Sequence, residues 1–215
     1  MIEVIQTGPF GVNTYIVNLK GSDVFIVDPA SCEFSNDKNV IIDYLEKNNL
    51  NLKAIILSHG HFDHIAGVSV LKNKFNDVPV FIHKNDSDFI NENAEETQRK
   101  LLKPLAFESF LPFVKSFPKI ELLDTDKIPL DDFSDWKVIN TPGHSQGSIC
   151  LYNEKEKLLI SGDTIFYRSY GRTDLPGGNE KTMQETLLKL YTSIAPDTLI
   201  FPGHDYFGFK LQDNI

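Results

Sequence analysis

Cysteine is scarce in this chain of 215 residues, and neither a basic excess nor a long apolar run is present. Cys32 and Cys150 are too few for a disulfide framework, and without a CxxC spacing they exclude a zinc finger built from cysteine. Lys and Arg number 21 against 30 Asp and Glu, and the net charge of −9 argues against a nucleic-acid or anionic-membrane partner. A membrane span needs about 18 consecutive apolar residues, and no stretch of the sequence approaches that length. The N-terminus does not resemble a secretory signal. We therefore expect a cytoplasmic protein.

Length and hydrophobic content favour one globular domain over residues 1–215, because 215 residues with 41% hydrophobic side chains lie below the size at which a core splits. Strand-like runs of β-branched and aromatic residues alternate with helical spacings, which predicts an α/β fold with a mixed sheet or sheets. The predicted helices are 39–49, 66–75 and 180–194. The predicted strands are 4–5, 14–17, 24–27, 53–57, 78–82, 120–123, 136–140, 148–152, 157–161 and 198–201.

Residues 84–118 differ in composition from the rest of the chain. A polar stretch over 85–100 precedes crowded Leu and Phe side chains, and prolines interrupt any long helix there. We predict a helical excursion from the sheet core. Aromatic residues such as Phe110 either form a satellite of the core, which the sequence favours, or wall a substrate pocket. The same two interpretations apply to three residues near the start of the chain, Phe10, Asn13 and Tyr15.

Histidine carries the clearest functional signal. Three of the six histidines fall in Ser58-His59-Gly60-His61-Phe62-Asp63-His64, directly after the predicted strand 53–57. Two histidines at i and i+2 on an extended segment point to the same side, and the next aspartate and histidine can serve a neighbouring position. Neutral imidazoles and carboxylates suit zinc, iron or manganese, so this motif predicts a metal site. The helical H-E-x-x-H motif is absent, which excludes that type of metalloprotease.

Three later residues follow the ends of predicted strands beside a glycine. His144 and His204 each stand on a Pro-Gly turn, and Asp163 follows an apolar run. Taken singly, each is more often a turn or helix-capping residue than a ligand. Together with the histidine motif they predict side chains aimed at one site on the rim of the sheet. His83 ends a strand without such a partner, and we interpret it as structural.

The order and spacing of these residues resemble the metallo-β-lactamase superfamily over nearly the whole chain. The matching motifs are, in chain order, His59-x-His61-x-Asp63-His64, Gly143-His144, Gly162-Asp163 and Gly203-His204. Val27-Asp28-Pro29 is similar to an early aspartate motif that supports the ligands from behind. The motif at 141–144 and Gly-Arg-Thr-Asp-Leu-Pro-Gly-Gly at 171–178 resemble glyoxalase II-like hydrolases. The resemblance implies a four-layer αβ/βα sandwich with metals at one edge, between the sheets.

The resemblance also implies roles for the site residues. The first ion would be held by His59, His61 and His144. The second ion would be held by Asp63, His64 and His204. Asp163 would bridge the two ions. Two divalent ions, zinc or alternatively iron or manganese, would lower the pKa of a shared water whose hydroxide attacks the carbonyl of a small-molecule thioester. Asp63 would orient that water or accept its proton. Arg172 either matches a basic glutathione contact or pairs with Asp174.

A second function stays open at this point. Pro-Gly-His-Asp-Tyr-Phe-Gly at 202–208 resembles persulfide dioxygenases of the same superfamily. Those enzymes hold one iron at residues matching His59, His144 and Asp163, and they oxidise glutathione persulfide. The hydrolase is favoured, because residues 175–178 are more hydrolase-like.

Three departures from known branches narrow the expected activity. The chain ends without the C-terminal helical extension of glyoxalase II enzymes proper, and Asp174 stands where a tyrosine contact with glutathione is expected. Both features argue against glutathione thioesters as substrates. A dizinc β-lactamase normally has a cysteine where this chain has Asp163. The sequence leaves the acyl group, the thiol and the oligomeric state unassigned.

Overall fold

The computed structural model describes residues 2–117, 119–124 and 126–214 of the chain. Its helices are α1 (Val40–Lys47), α2 (Phe62–Ile65), α3 (Val68–Lys74), α4 (Ala94–Leu102) and α5 (Glu180–Ser193). Its strands are β1 (Ile2–Thr7), β2 (Val12–Lys20), β3 (Asp23–Val27), β4 (Asn51–Ile56), β5 (Val80–His83), β6 (Glu121–Leu123), β7 (Lys137–Asn140), β8 (Ile149–Asn153), β9 (Leu158–Gly162), β10 (Ile165–Phe166), β11 (Ser169–Tyr170), β12 (Leu199–Pro202) and β13 (Phe209–Lys210). Met1 and Ile215, the ends of the predicted domain, lie outside the described residues, and the single-domain assignment stays a prediction.

Two mixed sheets carry the fold. The first has the strand order β1-β2-β3-β4-β5-β6, and the second has the order β13-β12-β9-β8-β7. Within the first sheet β3 and β4 are parallel, with Val27 opposite Ile56. Within the second sheet β9 and β12 are parallel, with Gly162 opposite Pro202. Because parallel neighbours end at the same edge, the loops after β3 and β4 meet, and so do the loops after β9 and β12.

Three apolar layers show how the sheets and helices stack. The inner faces of the two sheets pack against each other through residues that include Tyr15, Phe25, Ile56, Leu151 and Ile160. The outer face of the first sheet is covered by side chains of α1 and α3, among them Ile41, Leu45, Val68 and Leu71. The outer face of the second sheet is covered by Met183, Leu187 and Leu190 of α5. The order helix, sheet, sheet, helix confirms the predicted αβ/βα sandwich.

The segment 84–117 contributes Leu101, Leu102 and Phe110 to a fourth apolar cluster beside the sandwich; Pro118, the last residue of the predicted excursion, lies outside the described residues. The segment contains α4 and a 3-10 turn over Glu108–Phe113. Phe110 is 2% exposed, and its ring lies 5.0 Å from that of Phe62 in α2. The structure therefore supports the packing interpretation for Phe110. The sequence did not predict α2, whose four residues lie inside the histidine motif.

Two further observations agree with the sequence analysis. None of the helices in the described part of the chain is both long enough and apolar enough to cross a membrane. Cys150 lies in β8, and its complete burial raises the pKa of the thiol to about 11. A thiol with this pKa is protonated at neutral pH, so Cys150 behaves as a small apolar side chain.

We expect Phe110→Ala to lower the free energy of unfolding by about 3–5 kcal/mol, because it opens a cavity among packed aromatic rings. Urea denaturation followed by circular dichroism measures the change. Leu188→Ala is the matched control, since Leu188 is 67% exposed on α5 and its loss should change stability by about 0.5 kcal/mol or less. A stable Phe110→Ala protein with weakened substrate binding would instead assign this ring to the pocket.

Candidate metal centre

All the predicted ligands converge at the edge where the two sheets meet. His59 and His61 follow β4, and Asp63 and His64 lie on α2 directly after them. The remaining three each follow a strand of the second sheet: His144 after β7, Asp163 after β9 and His204 after β12. Both sheets therefore contribute side chains to this edge, and the residues predicted as ligands lie together there. Their role as ligands stays a prediction.

The first group consists of His59, His61 and His144. Their rings are buried, and one nitrogen of each lies within 4.8 Å of the other two. The Nε2 atom of each ring is buried and has no hydrogen-bond partner among the described residues. An unsatisfied buried polar atom costs about 1–3 kcal/mol, and imidazole nitrogens gathered this closely are a ligand set that a cation would satisfy.

Hydrogen bonds on the far side of the rings fix which nitrogen carries the proton. His144 Nδ1 lies 2.7 Å from the carbonyl oxygen of Arg172, and His204 Nδ1 lies 3.2 Å from that of Phe10. A carbonyl oxygen only accepts, so each Nδ1 donates and each Nε2 keeps its lone pair. The site therefore presents imidazole nitrogens in the form that binds metal.

The same logic applies to His59 through Asp28. Ser58 Oγ donates to Asp28 Oδ2 at 2.6 Å, so it accepts the proton of His59 Nδ1 at 3.0 Å. Asp28 also accepts from His64 Nδ1 at 2.9 Å and from the backbone N–H of Ser58 at 2.7 Å. Asp28 has a left-handed φ of 52°, an uncommon conformation for a residue with a side chain. Its carboxylate supports the rings from behind, as the sequence resemblance implies.

The second group consists of Asp63, His64 and His204. The two Nε2 atoms of its histidines are 3.1 Å apart, and Asp63 Oδ2 lies 3.4 Å from that of His204. Two imidazole nitrogens at this distance require a proton or a cation between them, because two lone pairs repel. This group is therefore a second cluster of side chains that could hold a metal ion, beside the first.

Asp163 lies between the two groups. Its Oδ2 is 3.4 Å from His144 Nε2, and its Oδ1 is 3.4 Å from His64 Nε2. Oδ1 is also buried without a hydrogen-bond partner in the described part of the structure. One carboxylate thus faces both groups, which is the geometry that a bridging ligand requires.

The protonation equilibria agree with cation binding. Burial lowers the pKa of His59 and His61 well below the usual value, so both rings are neutral at pH 7. Burial alone would lower the pKa of His64, but three neighbouring carboxylates outweigh it and raise this pKa to about 10. Burial alone would raise the pKa of Asp63, but His64 and His204 hold it well below the usual range. The three carboxylates that raise the pKa of His64 also make the surroundings of its ring favourable for a cation.

Asn13 and Tyr15 have a role that the sequence analysis missed. Asn13 Nδ2 donates to the carbonyl oxygen of Pro202 at 3.0 Å, and the Tyr15 hydroxyl donates to the same oxygen at 2.5 Å. Both side chains are fully buried in β2 and hold the turn that carries His204. An asparagine inside a buried apolar strand was the available signal, because such a side chain needs a specific partner.

A cavity of about 410 Å³ opens beside the two groups. Its apolar walls are Phe10, Phe62, Leu101, Leu105 and Leu175. Of the three residues suspected near the start of the chain, Phe10 lines this cavity, whereas Asn13 and Tyr15 do not. The segment 84–118 also contributes through Leu101 and Leu105, so this part of it walls the pocket while Phe110 packs behind.

Arg172 lines the same cavity but is paired. Its Nε and Nη2 atoms donate to the two carboxylate oxygens of Asp174 at 2.7 and 2.8 Å. This hydrogen bonding lowers the pKa of Asp174 to about 2. Of the two roles considered for Arg172, the structure contains the ion pair with Asp174. Both side chains are more than half exposed, so the pair is weak.

Comparison with known proteins gives consistent relationships. A family model described as "Metallo-beta-lactamase superfamily" matches residues 7–204. The chain is 30% identical to "Probable metallo-hydrolase YqgX" of Bacillus subtilis (strain 168), over 93% of this chain and 88% of that protein. It is 28% identical to "Hydroxyacylglutathione hydrolase GloC" of Haemophilus influenzae, over 94% of this chain and 90% of that protein.

Solved structures show the same architecture. The BLEG-1 B3 metallo-beta-lactamase superimposes with a TM-score of 0.84 at 28% identity, covering 99% of this chain and 95% of that chain. TTHA1623 in a di-iron-bound form superimposes with a TM-score of 0.77 at 26% identity, covering 98% of this chain and 96% of that chain. TTHA1623, a protein of similar fold, has therefore been observed in a di-iron-bound form.

We expect Asp28→Asn to weaken zinc binding by about 10- to 100-fold, because the amide nitrogen cannot accept from Ser58 or His64 and the rings lose their fixed orientation. Competition titration of the metal-depleted protein against a zinc chelator measures the affinity. Asp43→Asn is the control, since Asp43 is an exposed carboxylate on α1. Equal zinc affinity in both variants would rule out the supporting role of Asp28.

Proposed function

The chain belongs to the metallo-beta-lactamase superfamily, and on that basis we propose that it is a binuclear metal-dependent hydrolase of small-molecule thioesters. This family together with the His/Asp cluster implies divalent metal binding. The observation that carries the proposal is the pair of adjacent ligand groups, with the Asp163 carboxylate between them, at the floor of a cavity. The name of the Haemophilus influenzae relative supports thioester hydrolysis.

When bound, two divalent cations, zinc in our proposal, supply a Lewis acid for the carbonyl oxygen and a water of lowered pKa. His59, His61 and His144 would hold one ion. Asp63, His64 and His204 would hold the other. Asp163, facing both groups, would set their separation. The hydrogen bonds from His144 and His204 to backbone carbonyls keep these rings in the required tautomer throughout.

Asp63 is placed to handle the proton of the reaction. Its low pKa keeps it ionised at neutral pH, and its Oδ2 lies 3.4 Å from His204 Nε2 at the cavity wall. An ionised carboxylate at this position orients the attacking water and accepts a proton from it. Asp63 is therefore the residue to which we assign general-base function.

The cavity suits a thioester in two respects. Its apolar wall of Phe10, Phe62 and three leucines accommodates an uncharged acyl group. A thiolate leaves without assistance from a strong acid, and Arg172 is the one Lys or Arg side chain among the described residues that line the cavity. Because Arg172 is paired with Asp174, we propose that an anionic thiol such as glutathione is not the preferred leaving group.

The alternative function is a mononuclear iron persulfide dioxygenase. Its three ligands would be His59, His144 and Asp163, and the same residues occupy the hydrolase site. Persulfide dioxygenases retain residues matching the second ligand group, so the hydrolase is favoured on the motif at 175–178, which is more hydrolase-like. The metal content of the protein separates the two functions.

We expect about two metal ions per chain by mass spectrometry after expression with zinc, iron and manganese available. Asp163→Asn should lose one ion and reduce thioester hydrolysis by at least about 100-fold, since an amide nitrogen cannot ligate the second ion. Thiol release from a panel of thioesters measures the activity, and Asp43→Asn is the matched control.

Three outcomes would contradict this proposal. An Asp163→Asn protein that kept both ions and full activity would refute the binuclear site. One iron per chain with oxygen uptake on a persulfide would establish the alternative. A protein with two ions that hydrolyses a β-lactam but no thioester would confirm the binuclear metal site and refute the thioester substrate.

A second prediction concerns the thiol. Asp174→Asn releases Arg172 and removes a negative charge from the cavity mouth, so kcat/KM for a glutathione thioester should rise. Exposed pairs are worth about 1 kcal/mol at most, which corresponds to about five-fold. An uncharged thioester with the same acyl group should be unaffected. An equal rise for both substrates would show that Asp174 acts on something other than thiol charge.

A further inference from the structure

Gly60 lies between His59 and His61, and its backbone is held by the side chains of Asp86 and Gln98. Its N–H donates to Asp86 Oδ2 at 2.9 Å, and its carbonyl oxygen accepts from Gln98 Nε2 at 2.8 Å. Asp86 and Gln98 are both fully buried. The residue that separates His59 from His61 therefore has both of its polar backbone groups fixed by side chains of the segment 84–118 and not by a neighbouring strand.

Asp86 also binds the loop that carries His144. Its Oδ2 accepts from Ser145 Oγ at 2.6 Å, and its Oδ1 accepts from the backbone N–H of Gly147 at 2.6 Å. These two loops follow strands of different sheets. One buried carboxylate thus joins the loops that supply all three rings of the first ligand group.

The fit around these contacts leaves the loops little freedom. A Cβ atom added to Gly60 would lie 2.5 Å from Phe89 Cβ, and one added to Gly147 would lie 2.7 Å from Asp86 Cβ. Gln98 Nε2 donates a second bond to the carbonyl oxygen of Phe89 at 3.0 Å, which ties α4 to the 3-10 turn Lys84–Phe89. The loops cannot move toward the segment without a clash.

We propose that Asp86 and Gln98 are positioning residues for the first metal ion. They hold the loops of His59, His61 and His144 in place before an ion arrives, so that binding does not have to order them. Neither side chain touches the ion position. Residues behind a metal site typically change its affinity by about 10- to 100-fold.

The second ligand group provides an internal reference. Asp63, His64 and His204 are held by α2, Asp28 and the turn after β12, and none of these contacts involves Asp86 or Gln98. A positioning role at the first ion therefore predicts a selective effect. General loss of stability would instead weaken both ions.

The test is a zinc titration of the metal-depleted protein against a competing chelator, resolved into two binding steps. Gln98→Met keeps the size of the side chain and removes the donor to Gly60, and we expect one of the two steps to weaken by about 10-fold. Asp86→Asn should weaken that step by up to about 100-fold. The other step should stay close to wild type.

Two further variants complete the experiment. Thr198→Val is the control, because Thr198 is fully buried and its hydroxyl has no hydrogen-bond partner among the described residues. The titration is repeated in a His204→Ala background. This substitution removes one residue of the second ligand group, so the remaining binding step reports on the first ion alone. If Asp86→Asn does not fold, Ser145→Ala takes its place, because it removes one hydrogen-bond donor to Asp86. The zinc affinities of Ser145→Ala and Gln98→Met then test the positioning role.

The proposal is overturned if Gln98→Met and Ser145→Ala bind both zinc ions within two-fold of the Thr198→Val control. It is also overturned if both steps weaken equally, since that result indicates a purely structural role. Wild-type protein that binds no zinc would refute the metal centre itself, and the positioning role with it.

Discussion

Five imidazole rings and two carboxylates share one edge of the sandwich, and the need to satisfy their buried nitrogen atoms governs the surrounding structure. Four of these rings have a partner behind them that accepts the proton on Nδ1, which directs Nε2 toward a cation. Backbone carbonyls serve His144 and His204, and the Asp28 carboxylate serves His64 directly and His59 through Ser58. These acceptors therefore fix both the orientation of the rings and the nitrogen that carries the proton.

The strand pairing brings the acceptors to the rings. Because β3 is parallel to β4, Asp28 emerges beside the histidine loop, and because β9 is parallel to β12, Asp163 emerges beside the turn of His204. The inner faces of the two sheets then bury a shared apolar core, which brings the two pairs of loops together. The αβ/βα architecture is thus the means by which residues far apart in the chain become neighbours in two adjacent groups that could hold metal ions.

The sequence predicted which side chains meet at the edge of the sandwich, because each of them lies in a short local pattern after a strand that can be seen without knowing the fold. Their role as metal ligands stays a prediction. The sequence also predicted the sandwich and most strands to within two or three residues. It did not predict α2, since four residues with histidine and aspartate among them carry no helical periodicity. It missed the supporting residues Asn13, Asp86 and Gln98 for a different reason. Their partners are mostly backbone groups distant in sequence. Every residue has such backbone groups, so the sequence does not show which of them will accept or donate these hydrogen bonds.

The division of ligands between the two sheets has a consequence for the folding equilibrium. Neither sheet alone can present a complete ligand group for the first ion, because His59 and His61 belong to one sheet and His144 to the other. An ion at that position consequently binds only the closed sandwich, and it stabilises that state by about 4 kcal/mol when free metal exceeds the dissociation constant 1,000-fold. The melting temperature is then a property of the medium as well as of the chain. The folded fraction of the protein is therefore expected to rise with the concentration of free metal.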